Sequence, residues 1–257
     1  MPELNESIFE EASNRLAAKL AGTQHEKFFA GNRKRYMFAL RLIGAPPSPG
    51  SKLLDAGASP GHLSALCREI GWDVAAADKH PGKQFQPDIG APPLDLFSSL
   101  GIPVSEVDLA QGSLPFADAS FDAVMFNETL EHLIGSPLPA MKEFARILKP
   151  GGRLALTTPN VASLRNRLSF LFGRNIYTAL DVAINVSPYK CHNREYTLNE
   201  VRELAARAGL KVERAGLANI GQAGLSPLQY ALRSLYYCAT WLWPPGRSLL
   251  FLVASKP

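Results

Sequence analysis

From Lys52 onward the chain alternates short apolar runs with segments of helical period, which predicts an α/β fold: a doubly wound, mostly parallel sheet with helices on both faces. Two observations carry this reading. KLLDA (52–56) is an apolar run of strand length that ends in a small-residue loop, and His62 to Ile70 follows it with a helical pattern. The same sequence of strand, loop and helix then recurs: WDVAAAD (72–78), IPVSEVDL (102–109), FDAVMFN (121–127) and RLALTTP (153–159) read as four further strands, with a helix over Ala140 to Leu148 before the last.

The elements on either side follow from the same signals. Residues 3–20 and 32–43 read as helices, with Ile8, Leu16 and Leu20 at helical spacing in the first and Tyr36, Leu40 and Ile43 in the second; GAPPSPGS then stops the chain. Between Asp78 and Asp108 the connection is long and rich in Pro and Gly, with a short helix expected near Leu94 to Leu100. After Pro159, Leu164, Leu168, Leu171 and Phe172 fall on one face and Arg165, Arg167 and Arg174 elsewhere, an amphipathic insertion over the sheet edge. YTLNEVRELAARAGL is a capped helix closed by Gly209, and KVERAGLANI and RSLLFLVASK are strands flanking a helix from Leu228 to Trp243. The chain thus divides into N-terminal helices over the active site (1–46), a ligand-binding core (50–160), a substrate-side insertion (161–196) and helices with the last two strands completing the domain (197–257).

Composition narrows the class. Of the 257 residues, 46% are hydrophobic and 19% charged, which predicts a chain folded almost throughout. A net charge of +4 is too small to imply nucleic acid and is compatible with a phosphate-bearing substrate or an anionic membrane surface. Cys67, Cys191 and Cys238 are scattered, which suggests neither a disulfide framework nor a zinc site and fits a reducing cytoplasm. The N-terminus lacks the basic and apolar regions of a signal peptide, and no apolar run reaches the roughly 18 residues that span a bilayer. The aromatic helix Leu228 to Trp243 is expected in the core or a dimer contact, with peripheral contact at the inner face of the membrane as the alternative.

In an open parallel sheet, ligands bind beyond the carboxyl ends of the strands, so the loop after KLLDA is where a cofactor would sit. A dinucleotide fingerprint beginning at Gly57 needs glycine at positions 59 and 62, which hold Ser59 and His62. Asp55 also opposes a pyrophosphate and favours a cationic ligand. Here DAGASPG, from Asp55 through Gly57 and Ser59 to Gly61, resembles the first motif of the class I S-adenosylmethionine-dependent methyltransferases, with Ser59 and Pro60 as departures from its commonest form. DLAQGSLPFADASFDAV and RILKPGGRLALTTPN resemble that family's later motifs, in the family's order. The resemblance implies a Rossmann-like, seven-stranded sheet with an antiparallel last strand and S-adenosylmethionine as cofactor. It places Asp55, Gly57, Ser59 and Gly61 at the cofactor, Asp78 at the ribose hydroxyls, Asp108 and Leu109 beside the adenine, and Asn127, at the end of the fourth strand, at the cofactor as well.

NETLEHL follows that strand. If a helix starts there, Glu128, Glu131 and His132 stand at i, i+3 and i+4 and project from one face, where they could hold a divalent ion such as Mg. This E-x-x-E-H pattern is similar to that of the ubiquinone-pathway O-methyltransferases and the small-RNA terminal 2′-O-methyltransferases, and HNREYT resembles the latter's additional histidine, which makes His192 the fourth candidate ligand. Without a metal, His132 and His192 remain catalytic or pocket candidates and the acids are structural.

The function expected is methyl transfer from S-adenosylmethionine to oxygen on a small molecule, a sugar or a lipid-linked biosynthetic intermediate. The rivals are a metal-dependent RNA 2′-O-methyltransferase, disfavoured by the absence of a strong basic stripe, and a non-catalytic S-adenosylmethionine-binding protein.

Overall fold

The structure is a computed structural model describing residues 4–79, 95–185, 191–221 and 226–257. Most of the Pro- and Gly-rich connection after Asp78 lies outside the described residues.

Two helices, α1 (Glu6–Leu20) and α2 (Glu26–Ile43), precede β1 (Lys52–Ala56), α3 (His62–Glu69) and β2 (Asp73–Asp78). Then come α4 (Leu96–Leu100), β3 (Val104–Glu106), β4 (Phe121–Asn127), α5 (Leu138–Ile147) and β5 (Leu148–Pro159). The chain continues through α6 (Leu164–Leu171), α7 (Leu180–Asn185), α8 (Leu198–Arg207), β6 (Lys211–Ala218), α9 (Pro227–Leu242) and β7 (Leu249–Ser255). Among the described residues the strands form one seven-stranded sheet in the order β3-β2-β1-β4-β5-β7-β6. The pairings from β3 to β5 are parallel, and β7 runs antiparallel to both β5 and β6, so the Rossmann-like class read from the sequence holds.

Period-two geometry sends neighbouring strand residues to opposite faces. Leu53, Ala123, Met125 and Ala155 join the core under α1 to α4, while Leu54, Val124, Phe126 and Leu156 join the core under α5 and α8. This is why the central strands are apolar at nearly every position. The strand order reverses between β1 and β4, which opens a crevice at their carboxyl ends.

Several elements differ from the sequence reading. The buried stripe of α1 runs through Phe9, Ala12, Leu16 and Leu20, and Ile8 is exposed. α2 begins six residues earlier than its apolar period suggested, because its first turns pack Phe29 against the glycine loop rather than against the sheet. β3 is cut to three residues; Asp108, expected as strand, caps a short 3₁₀ turn over Leu109–Gln111 instead. α9 is not a core helix: Thr240 is its one fully buried side chain. No helix of the described residues is long and apolar enough to cross a membrane.

Candidate active site

The glycine loop is shaped by close contacts. Gly57 has φ +76°, and a Cβ there would stand 2.2 Å from the Thr129 Oγ1, so only glycine lets the loop after β1 lie against the loop after β4. The Gly57 and Gly61 amides donate to the Ala77 and Ala58 carbonyls, so these glycines shape the loop more than they offer donors to a ligand. Ser59 N donates to the Asp78 carboxylate at 3.0 Å, which fixes that acid at the end of β2.

Asp55 lies at the bottom of the crevice. It is 2% exposed and accepts a 2.6 Å hydrogen bond from the Ser64 hydroxyl on α3, so it forms the floor of the site. Burial pushes its pKa up to about 6, opposed by the Ser64 bond and helped by the neighbouring charge of Asp78.

His62, the residue that breaks the dinucleotide pattern, has a structural task the sequence did not reveal. Its ring nitrogens meet His25 Nδ1 and the Tyr36 hydroxyl, each at 3.0 Å, and Phe28 and Phe29 pack on it. Burial, with His25 beside it, pushes its pKa down to about 3, so the ring stays neutral and stitches α2 to the glycine loop. The second helix therefore covers the crevice.

Two abutting pockets occupy the crevice. One is lined by Gly57, Ser59, Asp78, Asp108, Leu109 and His132, with Lys79 paired to Asp108 across it. The other lies under α2, lined by Arg35, Tyr36, Asp55, Asn127, Glu128 and Thr157 among others. Asn127 Nδ2 and Glu128 Oε1 are buried there without a hydrogen-bond partner among the described residues. A third cavity of about 430 Å³ continues outward past Arg35, Glu128, Asn160, Arg165, His192 and Arg233.

The expected helix at NETLEHL is not formed. Glu128 takes a left-handed φ of +48° and Leu130–His132 make a single 3₁₀ turn before α5, so Glu128, Glu131 and His132 do not share a helical face. Glu128 instead faces Arg35 at 3.3 Å. Glu131, His132 and His192 do converge, with one potential ligand atom from each within 4.8 Å of the others; Glu128 is outside this set.

Each member of the set is held from behind. The His132 Nδ1 donates to the Cys191 carbonyl at 2.9 Å, the His192 Nδ1 lies 2.8 Å from Glu195 Oε1, and Glu131 Oε2 accepts from the Thr158 hydroxyl at 2.8 Å. These contacts leave the Nε2 atoms and Glu131 Oε1, which is buried and unpartnered among the described residues, as the available ligand atoms. Burial and then the Glu128 charge hold Glu131 well above the usual carboxylate range, and burial with His192 nearby lowers His132. A bound cation would relieve the cost of that buried carboxylate.

Arg35, Tyr36, Lys79 and Thr129 were missed by sequence reasoning. Arg35 is the last of three consecutive basic residues, Arg33 to Arg35, and like the others it carries no signal of the site without the fold.

A sheet of this order, with the switch-point crevice and an acid at the end of β2, defines the S-adenosylmethionine-dependent methyltransferase class. The profile of the family described as "Methyltransferase domain" matches residues 29–215, and the chain belongs to that family. It is 34% identical over 116 residues to the demethylmenaquinone methyltransferase of Renibacterium salmoninarum, covering 42% of this chain and 41% of that one. It is 30% identical over 181 residues to the ubiquinone biosynthesis O-methyltransferase of Cereibacter sphaeroides, covering 69% and 68%. The chain thus spans less than half the length of the first relative and about two thirds of the second. A solved S-adenosylmethionine-dependent methyltransferase from Mesorhizobium loti shares the fold with a TM-score of 0.53 at 15% identity, covering 88% of this chain and 98% of that one.

Proposed function

We propose that the protein transfers a methyl group from S-adenosylmethionine to an oxygen of a small-molecule or lipid-linked biosynthetic acceptor. One observation carries this reading: the pocket under the glycine loop and the outer cavity share Glu128, with His132 lining the first and His192 the second, so a donor and an acceptor would meet at the two histidines. S-adenosylmethionine supplies a methyl group on a good leaving group, so the protein's task is to align the acceptor, exclude water and take a proton.

In the pocket that Asp78, Val107, Asp108 and Leu109 line, Asp78 would accept from the ribose hydroxyls and the other three would flank the base. Under α2, Arg35 and Asn127 Nδ2 suit the donor's carboxylate, and Glu128 Oε1 suits its ammonium. Without a metal, an unprotonated Nε2 of His132, favoured by burial, can take the acceptor proton.

Glu131, His132 and His192 fit a divalent ion: two imidazoles and one carboxylate, each oriented by a second hydrogen bond. Two nitrogen donors suit Mn, Co or Zn better than the Mg expected from the carboxylates. An ion held there would lower the pKa of an acceptor hydroxyl. The outer cavity carries Arg165 and Arg233, which suits an acceptor bearing an acidic group.

Titration with S-adenosylhomocysteine, followed by a screen of catechol and phenol acceptors with labelled S-adenosylmethionine, tests the proposal. Saturable binding with methyl ether formation supports it, and absence of binding by folded, ligand-free protein rejects it.

A further inference from the structure

Helix α9 turns its apolar side outward. Arg233, Tyr236, Tyr237 and Thr240 face the protein at helical spacing, while Leu228, Leu232, Leu235 and Leu242 are exposed along the opposite side. Trp241 and Leu242 are 73% and 76% exposed. α6 behaves alike: it buries none of its residues, and Leu168, Phe170 and Leu171 stand in solvent with Phe172 just beyond.

The two surfaces adjoin. The Arg167 guanidinium lies 5.1 Å from the Trp243 ring centroid, and a Cβ on Gly246 would touch Leu164. Beyond α6, Tyr177 and the α7 residues Leu180, Val182 and Ile184 are exposed too. Single exposed apolar residues are ordinary, but a contiguous group of this kind marks a contact surface.

The charges of α6 and α9 have one sign. Residues 160–180, through α6, contain Arg165, Arg167 and Arg174 and no acid, and α9 carries Arg233 alone and no acid. Asp181 on α7 is the acid that follows. The same two helices wall the outer cavity, through Arg165 and Asn166 on one side and Arg233 and Tyr236 on the other.

We propose that this face docks the protein on an anionic lipid bilayer, with α6 and α9 lying in the headgroup region and the outer cavity opening beside them. Leucine and tryptophan side chains enter the acyl boundary while Arg167 and Arg174 stay among lipid phosphates. A second copy of the chain is the poorer occupant, because the charges on α6 and α9 are all basic and bring no acid to pair with those of a twofold copy. The inference goes beyond the proposed methyl transfer and stands whatever the acceptor is.

The test uses the full chain and its own fluorescence. Of three tryptophans, Trp72 is 2% exposed, so quenching by brominated lipid reports on Trp241 and Trp243. Vesicles of phosphatidylcholine with phosphatidylglycerol should quench and should bind the protein about tenfold better than phosphatidylcholine alone, with the gain lost in high salt. Leu171→Asp with Leu242→Asp should abolish vesicle binding and leave S-adenosylhomocysteine affinity unchanged, which separates this proposal from the function above. Unquenched tryptophans, equal binding to neutral and anionic vesicles, or a lipid-free dimer that the same substitutions dissociate would each overturn it. The quenching measurement on the unaltered chain decides the matter even if the doubly substituted chain fails to fold.

Discussion

The imidazole rings of His132 and His192 meet edge to face with centroids 5.0 Å apart, and each turns its Nδ1 toward an oxygen behind it. The pair is brought together from residues 60 positions apart, with Glu131 completing the set within 4.8 Å.

An ion in this set should bind at one per chain. Glu131→Gln and His192→Ala should remove both the ion and methyl transfer, and Glu195→Gln, which loosens His192, should weaken metal affinity about 10- to 100-fold. Glu128→Gln should leave metal content unchanged, since Glu128 faces Arg35. Metal analysis of each variant checks this; activity that persists after exhaustive chelation rejects the metal reading and leaves the histidines as base.

Gly57→Ala should disable donor binding. The added methyl would overlap Thr129 and the residue would be held at a φ of +76°, which together cost roughly 2–4 kcal/mol of stability. Gly50→Ala, at a similar φ of +77° with nothing within 4 Å, isolates the backbone part. Comparing melting temperature and S-adenosylhomocysteine affinity across the two variants separates strain from overlap.

Asp55 should impose a pH dependence on the ligand-free protein. Its pKa rises on folding from 3.8 to about 6, so the folded state holds the proton more tightly and this contribution to stability is full below pH 4. It falls as pH rises through 6, by about 3 kcal/mol in all for a change of this size. Asp55→Asn should remove this slope, so the stability difference between the two proteins should change with pH in denaturant titrations from pH 4 to 7. A slope unchanged by the substitution would mean that Asp55 is ionised throughout.

Arg35 should matter more to the donor than Arg165 does. Arg35→Ala removes the guanidinium beside Asn127 and should weaken S-adenosylhomocysteine binding about tenfold or more, the scale of one charged hydrogen bond. Arg165→Ala should raise KM for an acidic acceptor and leave donor affinity alone. Calorimetry with S-adenosylhomocysteine distinguishes the two, and equal losses would remove Arg35 from the donor pocket.

The central strands, the glycine loop and the acids at strand ends were legible because each is written in consecutive residues. A strand buried on both faces must be apolar, a tight turn must have glycine, and a ligand at a switch point meets the residues just past the strands. So Leu53 and Leu54, Gly57, and Asp78 announced themselves one by one in the chain.

Tertiary structure decided what depends on neighbours far apart. The E-x-x-E-H spacing implied one helical face, yet Glu128 adopted φ +48° and paired with Arg35 of α2, so His192 and not Glu128 joined Glu131 and His132. α9 has the apolar period of a core helix, and period alone cannot say which side is covered; that depends on whether another element packs there, and none of the described residues does so. His62 likewise reads as a missing glycine, while the fold makes it the buried link to His25 and Tyr36. Local patterns fix backbone conformation and burial preference, but the partners that complete a polar site are chosen by which loops the sheet brings together.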